Sequence, residues 1–378
     1  MAKKTTKKSG GKKSSKNNAR KVVAIVLVIA ILVVGYVFFG QEFVDKIFGN
    51  NPSPSPSQSS SPFEGETGDF SIHFLTLGNK YAGDSIYIKA GDNDILIDAG
   101  SRGNSSDAIS SYIDKYCTDG KLEYVIATHA HQDHIAAFVG TKAAPGIFDR
   151  YECETIIDFP LTDATSSVYK NYVAKRDAEV AGGAKHYTAL ECYNNENGAQ
   201  RVYNLGDGIT MEILYNYYYE NDTSNENNFS VCLLFTCGNN KFLLTGDLEE
   251  EGEEMLVKNN ELPKVDVFKA AHHGSYTGST DALLSVVQPD VVVVTCVAGS
   301  DEYTSNPDNM FPALAALRRI EKWTKKIFVT SIVSDNDKGF EDLNGNIVVS
   351  SDGSTVTVNC SNNNTYLGET EWYKNNRA

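Results

Sequence analysis

No Cys-x-x-Cys pair occurs among the seven cysteines at 117, 153, 192, 232, 237, 296 and 360, which argues against a zinc ribbon or a thioredoxin-like redox motif. Their number is odd and their spacing scattered, so they read as buried thiols acting as small hydrophobes. Cys232 and Cys237 are five residues apart in one strand, face opposite ways and do not suit a bond to each other. No period of 20–50 residues recurs, which argues against a solenoid. Basic residues are sparse outside the N-terminus. The first 21 residues hold nine Lys/Arg and no acid, so the rest of the chain carries −24 within a formal net charge of −15. That acidity works against loose binding to nucleic acid or to an anionic membrane. Histidine is scarce as well, seven in 378 residues, which makes its placement informative.

What is present divides the chain into four parts. Residues 1–21 form a basic tail. Residues 22–39 read VVAIVLVIAILVVGYVFF, eighteen apolar residues without a charge, enough to span a bilayer as one helix. No small-x-small cleavage site follows, so the run is expected to stay as an anchor rather than be removed as a signal peptide. The basic flank places the tail in the cytoplasm and everything beyond residue 40 outside, at the cell membrane. Residues 40–68 are a linker, Pro/Ser-rich from residue 52 and extended in character. Residues 69–378 are expected to form one large domain.

Within that domain, Thr128-His129-Ala130-His131-Gln132-Asp133-His134 places three histidines and an aspartate in six residues, directly after the apolar run Tyr124–Ala127. Such crowding suits metal ions and is hard to explain as packing. His129 and His131, one residue apart in extended chain, point the same way and can share one ion. Asp133 and His134 follow after a turn and suit a second. Asp247 ends the strand-like Phe242–Gly246 and can bridge two ions, although Thr-Gly-Asp is by itself also a helix N-cap signature. His272 and His273 follow another strand. Either each faces an ion, or one is a ligand and the other a loop histidine. His186 reads as a surface or loop residue.

Strand patterns are expected at Phe70–Leu75, Ser85–Ile88, Asp94–Asp98, Leu122–Ala127, Ala189–Cys192, Gln200–Asn204, Met211–Tyr217, Ser230–Cys237, Lys241–Leu244, Val265–Ala271, Val291–Val297, Ile327–Thr330, Asn346–Ser350 and Thr355–Val358. Helical patterns are expected at Asp107–Tyr116, Asp163–Glu179, Leu248–Lys258 and Met310–Lys322. Strand pairs followed by helices occur in both halves, which predicts an α/β four-layer sandwich.

Five stretches read together resemble the metallo-β-lactamase-like hydrolase superfamily, and within it the hydrolase domain of ComEC-type competence (DNA uptake) proteins. They are Ile95–Gly100, Thr128–His134, Asn227–Ser230, Leu243–Asp247 and His272–Ser275, in the family's order and spread over about residues 70–360. The resemblance implies an αββα metallo-β-lactamase-like sandwich with a dinuclear site at one edge. It places His129 and His131 on one metal, Asp133 and His134 on the other, and Asp247 between them. Asp98 matches a carboxylate that orients ligands, and Asn227 and Ser230 match polar positions. One departure stands out. ComEC-like domains carry a late His-Pro after a Tyr, and here Tyr303-Thr304-Ser305-Asn306-Pro307 has Asn306 where that His would stand.

The expected cofactors are two divalent ions, Zn or Mn, held by His129, His131, Asp133, His134, Asp247, His272 and His273. Asp133 and Asp247 are the carboxylates expected to orient a metal-activated hydroxide. The expected substrate is a phosphodiester, either DNA or a cell-envelope phosphoester. The tyrosines at 215, 217, 218 and 219 read either as strand or as a pocket for a choline-like group. A β-lactamase or other amide or thioester hydrolase is the first alternative. A non-catalytic metal-containing binding module is the second. No protein partner is expected.

Overall fold

The computed structural model describes residues 70–334 and 339–377. The tail, the apolar run at 22–39 and the linker lie outside these residues. Among the described residues no helix is long and apolar enough to cross a membrane.

Two eight-stranded mixed sheets form the architecture. The first has the order β16-β15-β1-β2-β3-β4-β5-β6, with β1 Phe70–Phe74, β2 Ile86–Ala90, β3 Asn93–Ile97, β4 Lys121–Ile126, β5 Glu152–Asp158, β6 Lys185–Thr188, β15 Ile347–Ser351 and β16 Val356–Cys360. The second has the order β14-β13-β12-β11-β10-β9-β8-β7, with β7 Val202–Gly206, β8 Ile209–Ile213, β9 Leu233–Cys237, β10 Asn240–Leu244, β11 Val267–Lys269, β12 Val291–Ala298, β13 Ile327–Val333 and β14 Phe340–Asp342. The helices are α1 Ser105–Ile113, α2 Gln132–Val139, α3 Ser167–Gly182, α4 Ala189–Asn194, α5 Glu250–Asn259, α6 Asp281–Val287, α7 Leu314–Ile320 and α8 Glu371–Asn376.

The strand period of two explains how one sheet serves two cores. In β10, Phe242 and Leu244 enter the core that also holds Ile72 and Ile95 of the first sheet. Leu243 between them points the other way, into the core built with Leu256, Leu284 and Leu317 of the outer helices. β9 and β12 alternate likewise: Leu233, Phe235, Val291 and Val293 face the first sheet, and Leu234, Val292 and Val294 face the helices. Phe70 and Phe242 meet across the sheets with ring centroids 5.0 Å apart. Full burial of each such side chain contributes about 1.5–3 kcal/mol.

Each sheet contains a parallel block, β3–β6 in the first and β10–β13 in the second. The C-terminal ends of β3, β4, β10 and β11 lead into Asp98, Thr128–His134, Asp247 and His272-His273, so all the expected site residues of these motifs gather at one edge of the sandwich.

Several expected elements differ. Ala189–Cys192 is helix, not strand, because Thr188 and Glu191 form a capping box that starts α4. Tyr215–Tyr217 leaves the strand, since Asn216 caps a single 3-10 turn at Tyr217–Tyr219. The helix expected from Met310 begins only at Leu314, as Pro312 disfavours helical backbone at the residue before it. Strands β5, β6 and β14 and helices α2, α6 and α8 were not expected at all.

Candidate metal centre

The first loop is built by Asp98. It leaves β3 in left-handed backbone (φ 57°), which Asp tolerates. Its two oxygens accept from the Thr128 amide at 2.7 Å and the Thr128 hydroxyl at 2.7 Å. Gly100 then passes so close to the next segment that a Cβ there would lie 1.4 Å from the Asp133 carbonyl oxygen. Glycine is required by this approach. His131 stays extended (φ −67°, ψ 148°) as the N-cap of α2, and Asp133 and His134 fall on the first turn of that helix.

Three buried imidazoles are held through Nδ1 and direct Nε2 at the cluster. His134 Nδ1 lies 2.7 Å from Asp98 Oδ2, and its Nε2 lies 3.0 Å from Asp247 Oδ2. His273 Nδ1 donates to the Thr295 carbonyl at 2.9 Å. Its Nε2 stands 3.3 Å from Asp247 Oδ2 and 3.5 Å from Asp133 Oδ2. His129 Nδ1 lies 3.1 Å from the Thr128 hydroxyl and 3.5 Å from that of Ser230, and its Nε2 lies 3.0 Å from His131 Nδ1. Asp247 follows Gly246 in left-handed backbone (φ 56°), and its amide donates to Ser230 Oγ at 3.1 Å. Ser230 thus supports both His129 and Asp247.

His272 is not brought into this cluster. Both histidines of the pair adopt left-handed backbone (φ 48° and 53°), which swings the rings apart. His272 Nδ1 lies instead 2.9 Å from Glu249 Oε1, and Asn227 donates to the same carboxylate at 2.8 Å. Burial opposes the Glu249 carboxylate, but hydrogen bonds from His272 and Asn227 outweigh it and hold the pKa down at about 2. Asn227 therefore serves the His272–Glu249 pair. His186 sits on β6 with Nε2 2.8 Å from the buried Asp158. The tyrosines separate, Tyr219 entering the core and Tyr217 staying exposed. Asn306 is exposed and caps a short turn by accepting from the Asp308 amide. The X-Pro step that does reach the site is Phe311-Pro312. The Phe311 ring lies 5.8 Å from each of the His272 and His273 rings.

Three residues at the centre were missed by sequence reasoning. Asp84, buried just before β2, has Oδ2 2.7 Å from Lys269 Nζ and Oδ1 3.4 Å from His273 Nδ1. Lys269 is buried too and donates to the carbonyls of Gly246 and Ala270 at 3.2 Å each. The Tyr303 hydroxyl donates to Asp133 Oδ2 at 2.9 Å. A lysine in the otherwise apolar Val267–Ala271 run was a usable signal for the second of these.

Burial and charge both shift the pKa values of these groups. Burial, followed by the neighbouring His134 and His131, pushes the His129 pKa well below its usual value. Burial also opposes charging His134 and His273. The carboxylates around them outweigh it, Asp247 first in both cases, and raise both pKa values. Asp247 is held well below the carboxylate range by His134 and His273 against its own burial.

Divalent ions fit these residues. Asp247 Oδ1 and His273 Nε2 are buried atoms without a hydrogen-bond partner among the described residues, a cost that a cation removes. Donor atoms of His129, His134 and Asp247 lie within 4.8 Å of one another, as do those of Asp133, His134 and His273. Anchoring of each imidazole at Nδ1 leaves Nε2 as the ligating nitrogen, the usual arrangement around metals.

The Metallo-beta-lactamase superfamily model matches residues 78–147 and 225–296, the two stretches that contain these loops. Fold and donor set together define a metallo-β-lactamase-fold protein. Its resemblance is to competence proteins of the ComEC type. "Recombination protein 2" of Haemophilus influenzae is 33% identical over 110 residues, covering 29% of this chain and 13% of that protein. "ComE operon protein 3" of Bacillus subtilis is 25% identical over 190 residues, covering 50% of this chain and 21% of that protein. The matches thus span only 13% and 21% of those longer relatives. Among solved structures, the metallo-beta-lactamase fold protein YhfI of Bacillus subtilis aligns at 13% identity over 74% of this chain and 100% of its own, with a TM-score of 0.41. The short form of human tRNase Z aligns at 12% identity over 68% of this chain and 93% of its own, with a TM-score of 0.32.

Proposed function

We propose that this chain is a dinuclear metal-dependent hydrolase that cleaves phosphodiesters, tethered to the membrane through residues 22–39 with its domain outside the cell. The carrying observation is the convergence of three Nδ1-anchored imidazoles on Asp133 and Asp247, two of whose contacts are buried atoms otherwise left unpaired. Proteins of this superfamily are generally metal-dependent hydrolases. The phosphodiester reading draws on the likeness to competence proteins and on the suitability of two-cation sites for phosphoester oxygens.

When bound, divalent ions supply Lewis acidity and hydroxide near neutral pH. The chain's own residues prepare the place. Asp98, the Thr295 carbonyl and the Thr128 hydroxyl fix the three histidines in the tautomer that presents Nε2. Asp133 and Asp247 orient the attacking oxygen's proton. Burial of His129, His134, Asp247 and His273 keeps bulk water from the floor of the site. Lys269 offsets the negative charge of Asp84 and Asp247 and ties down the carbonyl beside Asp247.

The test is elemental analysis of the purified protein, then an assay on bis-(p-nitrophenyl) phosphate with and without added Mn²⁺ or Zn²⁺, with Asp247→Ala as control. About two ions per chain and turnover lost in the control are expected. Two ions with hydrolysis of a chromogenic cephalosporin and none of the phosphodiester would replace this reading with amide hydrolysis.

A further inference from the structure

The cluster is closed on most sides. His129, His134, Asp247 and His273 are buried, and so is Asp84 behind them. His131 is exposed and Asp133 half-buried, so solvent, and any substrate, reaches the cluster on the side of these two residues. Tyr303 stands there. The residue is 55% exposed, yet it is held at both ends. The hydroxyl donates to Asp133 Oδ2 at 2.9 Å, and the ring lies 5.4 Å from Phe311, whose own ring packs on His272 and His273. The preceding residue is fixed as well. Glu302 accepts from the Ala82 amide at 2.8 Å and pairs with Arg102 at 2.9 Å. Asn306, by contrast, is exposed and turned to the Asp308 amide.

We propose that the Tyr303 hydroxyl is the protein's hydrogen-bond donor to the substrate oxyanion at this centre. A phenol carries a single proton and makes one donated bond at a time. In the free protein Asp133 accepts it. A substrate phosphoryl oxygen arriving over His131 and Asp133 competes for the same proton and receives the bond, while the proton stays on the tyrosine throughout. Phe311 and Glu302 hold the ring in place so that the exchange needs only rotation of the hydroxyl. A donor aimed at an oxygen that gains negative charge stabilises the transition state more than the ground state. The inference rests on the hydrolase reading above.

The test compares wild type, Tyr303→Phe and Asn306→Ala in the metal-loaded full-length protein. Ions per chain are measured by elemental analysis, binding of inorganic phosphate by calorimetry, and kcat and KM on bis-(p-nitrophenyl) phosphate. Tyr303→Phe is expected to keep its ions, to bind phosphate about tenfold more weakly and to lose about ten- to a hundredfold in kcat. Asn306→Ala is expected to match wild type in all three. Unchanged phosphate affinity and kcat in Tyr303→Phe overturn the proposal. Loss of ions in that variant also overturns it, because Tyr303 then acts by positioning Asp133. If wild type binds phosphate without cleaving the diester and Tyr303→Phe weakens that binding, Tyr303 keeps its role and the phosphodiesterase reading fails. If metal-loaded wild type neither binds phosphate nor turns over, both fail.

Discussion

Asp98 holds His134 by its Nδ1 at 2.7 Å while the same carboxylate takes both the amide and the hydroxyl of Thr128. One side chain thereby sets the tautomer of a ligand and the start of the loop that carries the other donors. Asparagine at this position keeps the size but turns an acceptor into a donor. Asp98→Asn is expected to weaken metal affinity by about 10–100-fold while leaving the fold intact. Competition against a chromophoric chelator measures it, with circular dichroism as the check on folding. Wild-type affinity in the variant would remove Asp98 from the ligand-orienting role.

The histidine pair makes a sharper distinction. His273 reaches the cluster and His272 reaches Glu249. Elemental analysis of His273→Ala is expected to show bound metal falling, by about one ion per chain if the centre is dinuclear. His272→Ala is expected to retain its loading. Equal losses in the two variants would contradict the division seen here.

Gly100 is a steric test of the same edge. Alanine there drives a methyl into the Asp133 carbonyl, and the backbone on both sides is held by hydrogen bonds from Ala99 to His134 and from Gly100 to Asp84. Gly100→Ala is expected to cost about 3 kcal/mol or more in chemical denaturation and to lower metal content with it. A destabilisation under about 0.5 kcal/mol would mean the loop yields easily.

His73 provides a pH prediction away from the donor cluster. It is buried on β1 between the hydroxyls of Ser71 at 2.7 Å and Tyr112 at 2.8 Å. Burial lowers its pKa from 6.5 to about 4. A folded pKa below the unfolded one contributes stability that is present above pH 6.5 and is lost as pH falls towards 4. Relative to His73→Gln, wild type is expected to lose about 3 kcal/mol across that window, as an upper figure. Urea titrations of both proteins at several pH values give the difference curve. A flat difference would show that His73 accepts its charge without cost.

Much of the fold and most of the centre were legible, and the reasons differ. The hairpin of β2 and β3 was visible because alternating apolar residues flank Gly91-Asp92-Asn93. The histidine cluster was visible because it is contiguous. Helix α2 was not, since its first turn is made of the donors themselves and carries no apolar periodicity. Ala189–Cys192 looked like strand until the capping box of Thr188 and Glu191 is considered, and that signal is local and was available. The separation of His272 from His273 was beyond reach of spacing, because two successive left-handed residues reverse the rule that neighbours simply alternate. Asp84 lies 45 residues before His129 in sequence and is joined to the centre only by the fold. Tyr303 was noted only for the missing histidine after it.

The donors do not come from one sheet. His129, His131, Asp133 and His134 leave the first, as does Asp98, which orients His134, and Asp247 and His273 leave the second. Ions bound across this edge would therefore link their own occupancy to closure of the sandwich. A ligand that binds only the closed arrangement adds about 2.7 kcal/mol to it at a hundredfold excess over its dissociation constant. Stripping such ions is expected to loosen the rim while the packed core between the sheets holds. A centre so built would act as a clasp between the two sheets, and amide exchange in the loops after β4 and β10 is expected to report its occupancy.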